Sequence, residues 1–257
     1  MKLKTNDEVE VMAKSGAILR SILDDLVLHI RPGISTLAID ERARVLVEQH
    51  GVKAAFLGYN GFPAAVCVSI NDEVVHGIPS SKRILNYGDI VGIDMGVIYK
   101  NYYSDSARTV PVIDNMNNEQ WQRQFPSRHK LIEVTRDALN LGIEAAIVGN
   151  RIGAIGHAIQ KHVESHRFGV VRELVGHGIG LRLHEDPHVP NFGGLKDGPI
   201  LKAGMVLAIE PMVTAGSYEV RLDADNWTYR TADGSDSAHF EHTVAVTKDG
   251  PVILTEA

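Results

Sequence analysis

The sequence predicts an α+β fold built from two related halves around a central site. Three observations predict it. The order helix, helix, strands occurs twice along the 257 residues. Segments 32–51 and 148–167 match faintly at a fixed offset of 116, where Gly33, Ile39, Val47, Glu48 and His50 meet Gly149, Ile155, Val163, Glu164 and His166. Both halves also carry acidic residues in or beside apolar strands, where an unpaired charge is costly. Two unrelated amphipathic helices entered through similar turns would match as well, and that alternative stays open here.

The elements follow in order. Thr5 and Glu8 have capping-box spacing, and Val9, Met12, Leu19, Leu23, Leu26 and Ile30 continue as a helical stripe. Pro32-Gly33 stops it. A second helix is expected from about Ser35 to His50, with Gly51 closing it. Strands are expected at Ala64–Ile70, Ile90–Tyr99 and Tyr103–Val112. Residues 113–130 read as the connector between the halves. Helices are then expected at Leu131–Ala146 and Ile152–His166, and strands from Met205 onward. Residues 1–257 are expected to form a single domain, with halves of about 1–118 and 119–257.

Composition narrows the classes. The chain is 44% hydrophobic and 23% charged, as an ordinary globular protein is. A net charge of −6 offers no attraction to nucleic acid or an anionic membrane. The single cysteine, Cys67, excludes an internal disulfide and fits a reducing compartment. The opening MKLKTNDEVE turns acidic where a signal peptide needs an apolar run. No apolar stretch approaches the ~20 residues of a membrane span. A cytoplasmic protein is expected.

The acids carry the chemistry. In "DIVGIDMGVIYKNYYSDSARTV" a tight turn centred between Tyr99 and Lys100 would set Asp94 directly opposite Asp105 on one face of a hairpin. Two carboxylates so placed repel unless a cation sits between them, so a metal site is the preferred explanation over a solvated face. "GMVLAIEPMV" puts Glu210 at the end of an apolar strand, and "SAHFEHTVAV" puts Glu241 on another. Salt bridges are the alternative for both, yet neither has a Lys or Arg nearby in sequence. "VGHGIGLRLHEDP" adds His177 between Gly176 and Gly178, which permit close approach of backbone and ligand. Four carboxylates and one imidazole can hold two divalent ions and balance their charge.

These motifs resemble the methionine aminopeptidases of type I, a family with the pita-bread fold. "GYNGFPAAVCVSINDEVVHGIP" (58–79), Asp94 with Asp105, "GHGIGLRLHEDP" (176–187), "AIEP" (208–211) and "FEHT" (240–243) stand in the family's order over nearly the whole chain. The resemblance implies a pseudo-two-fold antiparallel sheet with outer helices around a dinuclear centre. It implies Asp94, Asp105, His177, Glu210 and Glu241 as ligands, with Asp105 and Glu241 spanning both ions, drawn from Co, Mn, Fe, Ni or Zn. His76 and His184 match the family's two non-ligand histidines.

The implied reaction is removal of an N-terminal methionine when the second residue is small, by a hydroxide activated between the ions. Glu210 would shuttle the proton, His184 would hydrogen-bond the scissile carbonyl, and His76 would contact the substrate backbone. Tyr59, Phe62, Cys67 and Trp227 would line the methionine pocket, although as apolar residues they also fit a plain core. The implied partners are N-terminal segments of nascent polypeptides, with the ribosome a candidate, and the chain is expected to be a monomer. Tyr103-Ser104, Gly92 and Leu183 depart from the family's common residues, and the connector is longer than in typical bacterial members. The chain is also expected to lack the zinc-binding extension of some relatives and the N-terminal domain of prolidases. An Xaa-Pro-cleaving enzyme and a metal-free binding module are the alternatives, and a binding module would have lost ligand residues that this chain keeps.

Overall fold

Thr5 and Glu8 close a capping box at the first helix: Glu8 N donates to Thr5 Oγ1 at 3.3 Å and Thr5 N donates to Glu8 Oε2 at 2.8 Å. The computed structural model describes residues 2–114 and 118–256. Helix α1 (Asn6–His29) buries Met12, Leu19, Ile22, Leu23 and Leu26 along one stripe. Helix α2 (Thr36–Gln49) starts where Ser35 Oγ accepts from Ala38 N, and it ends before Gly51, whose φ of +64° suits glycine.

Short strands β1 (Lys53–Ala54), β2 (Cys67–Ile70) and β3 (Glu73–Val75) precede the long hairpin β4 (Ile90–Tyr99) and β5 (Tyr102–Pro111). Helices α3 (Asn118–Gln124), α4 (Pro126–Glu144) and α5 (Ile152–Ser165) follow. The second run of strands is β6 (Gly169–Val170), β7 (Gly176–Gly178), β8 (Glu185–Val189), β9 (Val206–Ile209) and β10 (Met212–Thr214). It continues through β11 (Val220–Leu222), β12 (Tyr229–Thr231), β13 (Ser237–His239), β14 (Glu241–Thr247) and β15 (Gly250–Ile253).

The hairpin differs from expectation by two residues of register. Tyr99 pairs with Tyr102, so Asp94 faces Ala107 and Asp105 faces Gly96. The turn is Lys100-Asn101, both at positive φ (47° and 68°). Such a turn favours Asn and disfavours Tyr99, which the expected register would have placed in it. The two acids are thus diagonal neighbours, still on one face.

The expected connector is structured. It holds α3, whose Trp121 is buried, and the start of α4, which begins at Pro126 rather than Leu131. Proline at the first helical position is a start signal the sequence carries. The connector's residues 115–117 lie outside the described residues.

Strands from both sequence halves share one nine-stranded sheet, ordered β1-β4-β5-β14-β9-β7-β8, with β2 added on β4 and β15 on β14. Smaller sheets β13-β10-β6 and β11-β12-β3 flank it. Alternation along the strands separates two faces. Ile93, Met95 and Val97 pack with Leu19, Leu23 and Leu26 of α1. Leu207, Ile209, Val244 and Val246 pack with Leu131, Leu139, Ile155 and Ile159 of α4 and α5. The intervening residues, Asp94, Ala208, Thr243 and Ala245, turn to the other face, where Ala245 clusters with Met12 near the start of α1.

Candidate metal centre

Five neighbouring strands each bring one candidate donor to that opposite face. In the order β4-β5-β14-β9-β7 they supply Asp94, Asp105, Glu241, Glu210 just past the end of β9, and His177. Ala107 is the register partner of both Asp94 and Glu241, so a single methyl group stands between those acids. Asp105, two residues along β5, shares their face.

Backbone geometry around each donor is fixed by its own neighbours. Asp105 N donates to Thr243 Oγ1 at 2.9 Å, and Thr243 Oγ1 donates back to the Asp105 carbonyl at 2.8 Å. Ser106 Oγ donates to the Glu241 carbonyl at 2.8 Å, and Asn191 Nδ2 donates to that of Glu210 at 3.0 Å. His177 lies on β7, three residues long and squeezed between β8 and β9. A Cβ on Gly176 would fall 2.4 Å from the Ala208 carbonyl oxygen, and one on Gly178 2.2 Å from that of Asp186. Close packing is what the glycines around His177 permit.

One donor atom each from Asp105, His177 and Glu241 lies within 4.8 Å of the others, and all three residues are buried. His177 Nε2 is also 3.5 Å from Glu210 Oε1. Asp94 Oδ1 and Glu241 Oε1 are buried without any hydrogen-bond partner. Among the described residues, the only ion-pair partners of these four carboxylates are His177 and His239, both on Glu210. Crowded carboxylate oxygens with no Lys or Arg partner, two of them without a hydrogen bond, fit divalent cations when ionised.

The electrostatics agree. Burial and then the charge of neighbouring acids push the carboxyls of Asp105, Glu210 and Glu241 well above the usual carboxylate range. Burial pushes Asp94 up as well. Burial, then His184, pushes His177 down to about 3, so its ring is neutral. Its Nδ1 is 2.9 Å from the Gly178 carbonyl; the neutral ring therefore carries its proton there and keeps the Nε2 lone pair free.

The donors form the floor of a cavity of about 190 Å3. Tyr59, Phe62, Cys67 and Trp227 line it, together with Phe56 and Leu183. Phe62 and Trp227 meet edge to face with centroids 5.1 Å apart. His76 and His184 also face this space. His76 sits at φ +61°, a strained conformation for a residue with a Cβ, and burial pushes its ring down to about 4. His184 stacks edge-on against His177 at 4.3 Å. All eleven residues expected at the site therefore line one cavity.

Residues 10–248 match the profile of metallopeptidase family M24. The chain belongs to metallopeptidase family M24. It is 48% identical to methionine aminopeptidase 1 of Bacillus subtilis (strain 168), over 98% of each chain. The crystal structure of methionine aminopeptidase from Rickettsia prowazekii superposes with a TM-score of 0.94 at 39% identity, covering all of both chains. Prolidase from Pyrococcus horikoshii OT3 shares the fold at 22% identity and a TM-score of 0.75, with 99% of this chain covering 63% of that one. The M24 architecture is the pita-bread fold, and this chain is a hydrolase with a divalent metal centre.

The departures at Tyr103-Ser104 and Gly92 have structural homes. Ser104 is fully buried and its Oγ lies 2.9 Å from Ser15 Oγ, tying β5 to α1. Tyr103 N donates to the Gly180 carbonyl at 2.8 Å, joining the hairpin to the His177 loop. Gly92 stands beside Thr109 with room for a Cβ at 3.6 Å.

One residue at this M24 centre escaped the sequence reading. His239 is buried, its Nε2 has no hydrogen-bond partner, and that atom lies 3.9 Å from Glu210 Oε2. Its even spacing from Glu241 was the available signal.

Proposed function

We propose that this chain is a methionine aminopeptidase that removes the N-terminal methionine of nascent polypeptides when the second residue is small. One observation supports the proposal: Asp94, Asp105, His177, Glu210 and Glu241 converge on one cavity with no Lys or Arg ion-pair partner among the described residues. These five residues are the proposed ligands of two divalent ions drawn from Co, Mn, Fe, Ni or Zn. Ions held there supply an activated water near neutral pH and polarise the scissile carbonyl.

The chain's own groups do the rest. Glu210 takes a proton on its carboxylate and delivers it to the leaving nitrogen. His184 donates from Nε2 to the carbonyl oxygen as charge develops there. His76 contacts the substrate backbone near the scissile amide. Tyr59, Phe62, Cys67 and Trp227 surround the methionine thioether, a polarizable group suited to such walls. We further propose that residues 1–257 act as one catalytic domain of two pseudo-symmetric halves, as a cytoplasmic monomer working on chains emerging from the ribosome.

The test is reconstitution. Metal-depleted protein is loaded with each ion in turn and assayed on Met-Ala-Ser, with release of methionine expected for at least one ion. Silence with all of them would refute the assigned activity.

A further inference from the structure

Tyr59 has a feature that lining a pocket does not require. Its hydroxyl oxygen lies 2.7 Å from Nδ1 of His184, with the rings edge to face at 5.3 Å and 62°. The phenol is held from below by a tight turn. Gly58 sits at φ +82°, Gly58 N donates to the Phe62 carbonyl and Phe62 N donates to the Tyr59 carbonyl, each at 2.9 Å. His184 is held from the other side by the edge contact with His177.

We propose that Tyr59 is a positioning residue that donates its hydroxyl proton to His184 Nδ1 and so keeps the imidazole proton on Nε2. A neutral imidazole has one N–H and one acceptor nitrogen, and the hydrogen bond at one nitrogen selects the state of the other. Phenol oxygen is a strong donor and a weak acceptor, because its lone pair is delocalised into the ring. An unprotonated imidazole nitrogen is a strong acceptor. The 2.7 Å contact therefore runs from Tyr59 to His184. It leaves Nε2–H as the only donor of the ring, and a donor is what a carbonyl oxygen gaining charge requires. Without the hydroxyl, the Nδ1–H form becomes available, and that form presents an acceptor to the oxygen instead.

The kinetic consequence rests on the role proposed above for His184; the tautomer itself does not. Tyr59→Phe removes one oxygen and keeps the ring that walls the cavity. In metal-loaded enzyme we expect kcat on Met-Ala-Ser to fall roughly tenfold, the scale of one lost neutral hydrogen bond acting in the transition state, while KM changes little. In a His184→Ala background, Tyr59→Phe should have no further effect on kcat. Nitrogen-15 shifts of the His184 ring should report Nε2–H in the native protein and a shift toward Nδ1–H in Tyr59→Phe. The proposal is overturned if the ring shifts are the same in both proteins, or if the two substitutions lower kcat independently. An inactive native enzyme would count against the assigned activity, and the ring shifts would still decide the hydrogen bond.

Discussion

His177 presents Nε2 to Glu210, 3.5 Å from Oε1, while the Gly178 carbonyl holds its Nδ1 at 2.9 Å. The second contact explains the first: with the proton fixed on Nδ1, Nε2 is a lone pair aimed among carboxylates. A lone pair and ionised carboxylate oxygens cannot satisfy one another. The centre is therefore complete only with cations, and without them its acids repel.

That repulsion predicts an inverted mutant effect. The carboxyls of Asp94, Asp105, Glu210 and Glu241 are all raised above their ordinary range. A carboxyl raised in the folded state stabilises at low pH, and the contribution is lost as pH climbs through the raised value. Metal-stripped Glu241→Gln should therefore melt above metal-stripped native protein at pH 8, by about 2–4 °C for roughly 1 kcal/mol. The gap should narrow at pH 5.5, where the native acids hold protons. Buried His76, His177 and His239, all pushed down, favour the folded state less as pH falls below about 6.5. They are common to both proteins, so comparison at matched pH cancels them. Saturating metal should reverse the order. Melting curves at the two pH values, with and without chelator, decide the matter, and equal stripped melting temperatures at pH 8 would sink the argument.

His184 should be separable from the ions. His184→Ala is expected to lower kcat by about 10²–10³-fold, the loss typical of a donor to a developing oxyanion. Bound metal per chain, measured by elemental analysis, should be unchanged. Loss of metal would make His184 a ligand and void the role given to it.

Gly178 should tolerate no side chain. A Cβ there would meet the Asp186 carbonyl oxygen at 2.2 Å, inside the β7–β8 pairing that carries His177. Gly178→Ala should cost about 1–3 kcal/mol by overpacking and lower metal affinity as His177 is displaced. Thermal unfolding and metal titration test both. A variant that melts and binds like native protein would show that the strand yields freely.

Legibility in the sequence followed the range of the forces involved. Local signals were readable: the Thr5–Glu8 cap, the apolar stripe of α1 and the boundaries of β4 emerge in place. The clustering of Asp94, Asp105, Glu210 and Glu241 was readable because acids in or beside apolar strands without Lys or Arg nearby are rare. The hairpin register was not, since Lys100 and Asn101 turn through positive φ where the apolar pattern is silent. Helix α3 was hidden because its lone anchor, Trp121, is one apolar residue in a polar run. The Tyr59–His184 contact spans 125 residues of chain and leaves no trace in spacing.

The substrate rule follows from the shape of the cavity. Tyr59, Phe62, Cys67, Trp227, Phe56 and Leu183 supply the apolar part of the cavity of about 190 Å3 that also holds the carboxylates. On the roles proposed for His76 and His184, a carbonyl that reaches the metal cluster would bring the next residue close to both. A bulky second side chain would collide there, and rejection by collision discriminates more sharply than lost attraction. The walls proposed for methionine are largely apolar, and apolar contact separates ligands differing by one methylene by only ~1–3 kcal/mol. Norleucine should therefore be accepted in place of methionine with a modest penalty. We expect kcat/KM to be highest on Met-Ala-Ser, close behind on norleucine-Ala-Ser, and at least 10²-fold lower on Met-Leu-Ser, a gap of about 2.7 kcal/mol in transition-state binding. Leu-Ala-Ser should also be poor, because a branched side chain packs differently in a pocket proposed for methionine. Equal cleavage of Met-Ala-Ser and Met-Leu-Ser would refute the collision, and equal cleavage of Met-Ala-Ser and Leu-Ala-Ser would refute a pocket shaped for methionine.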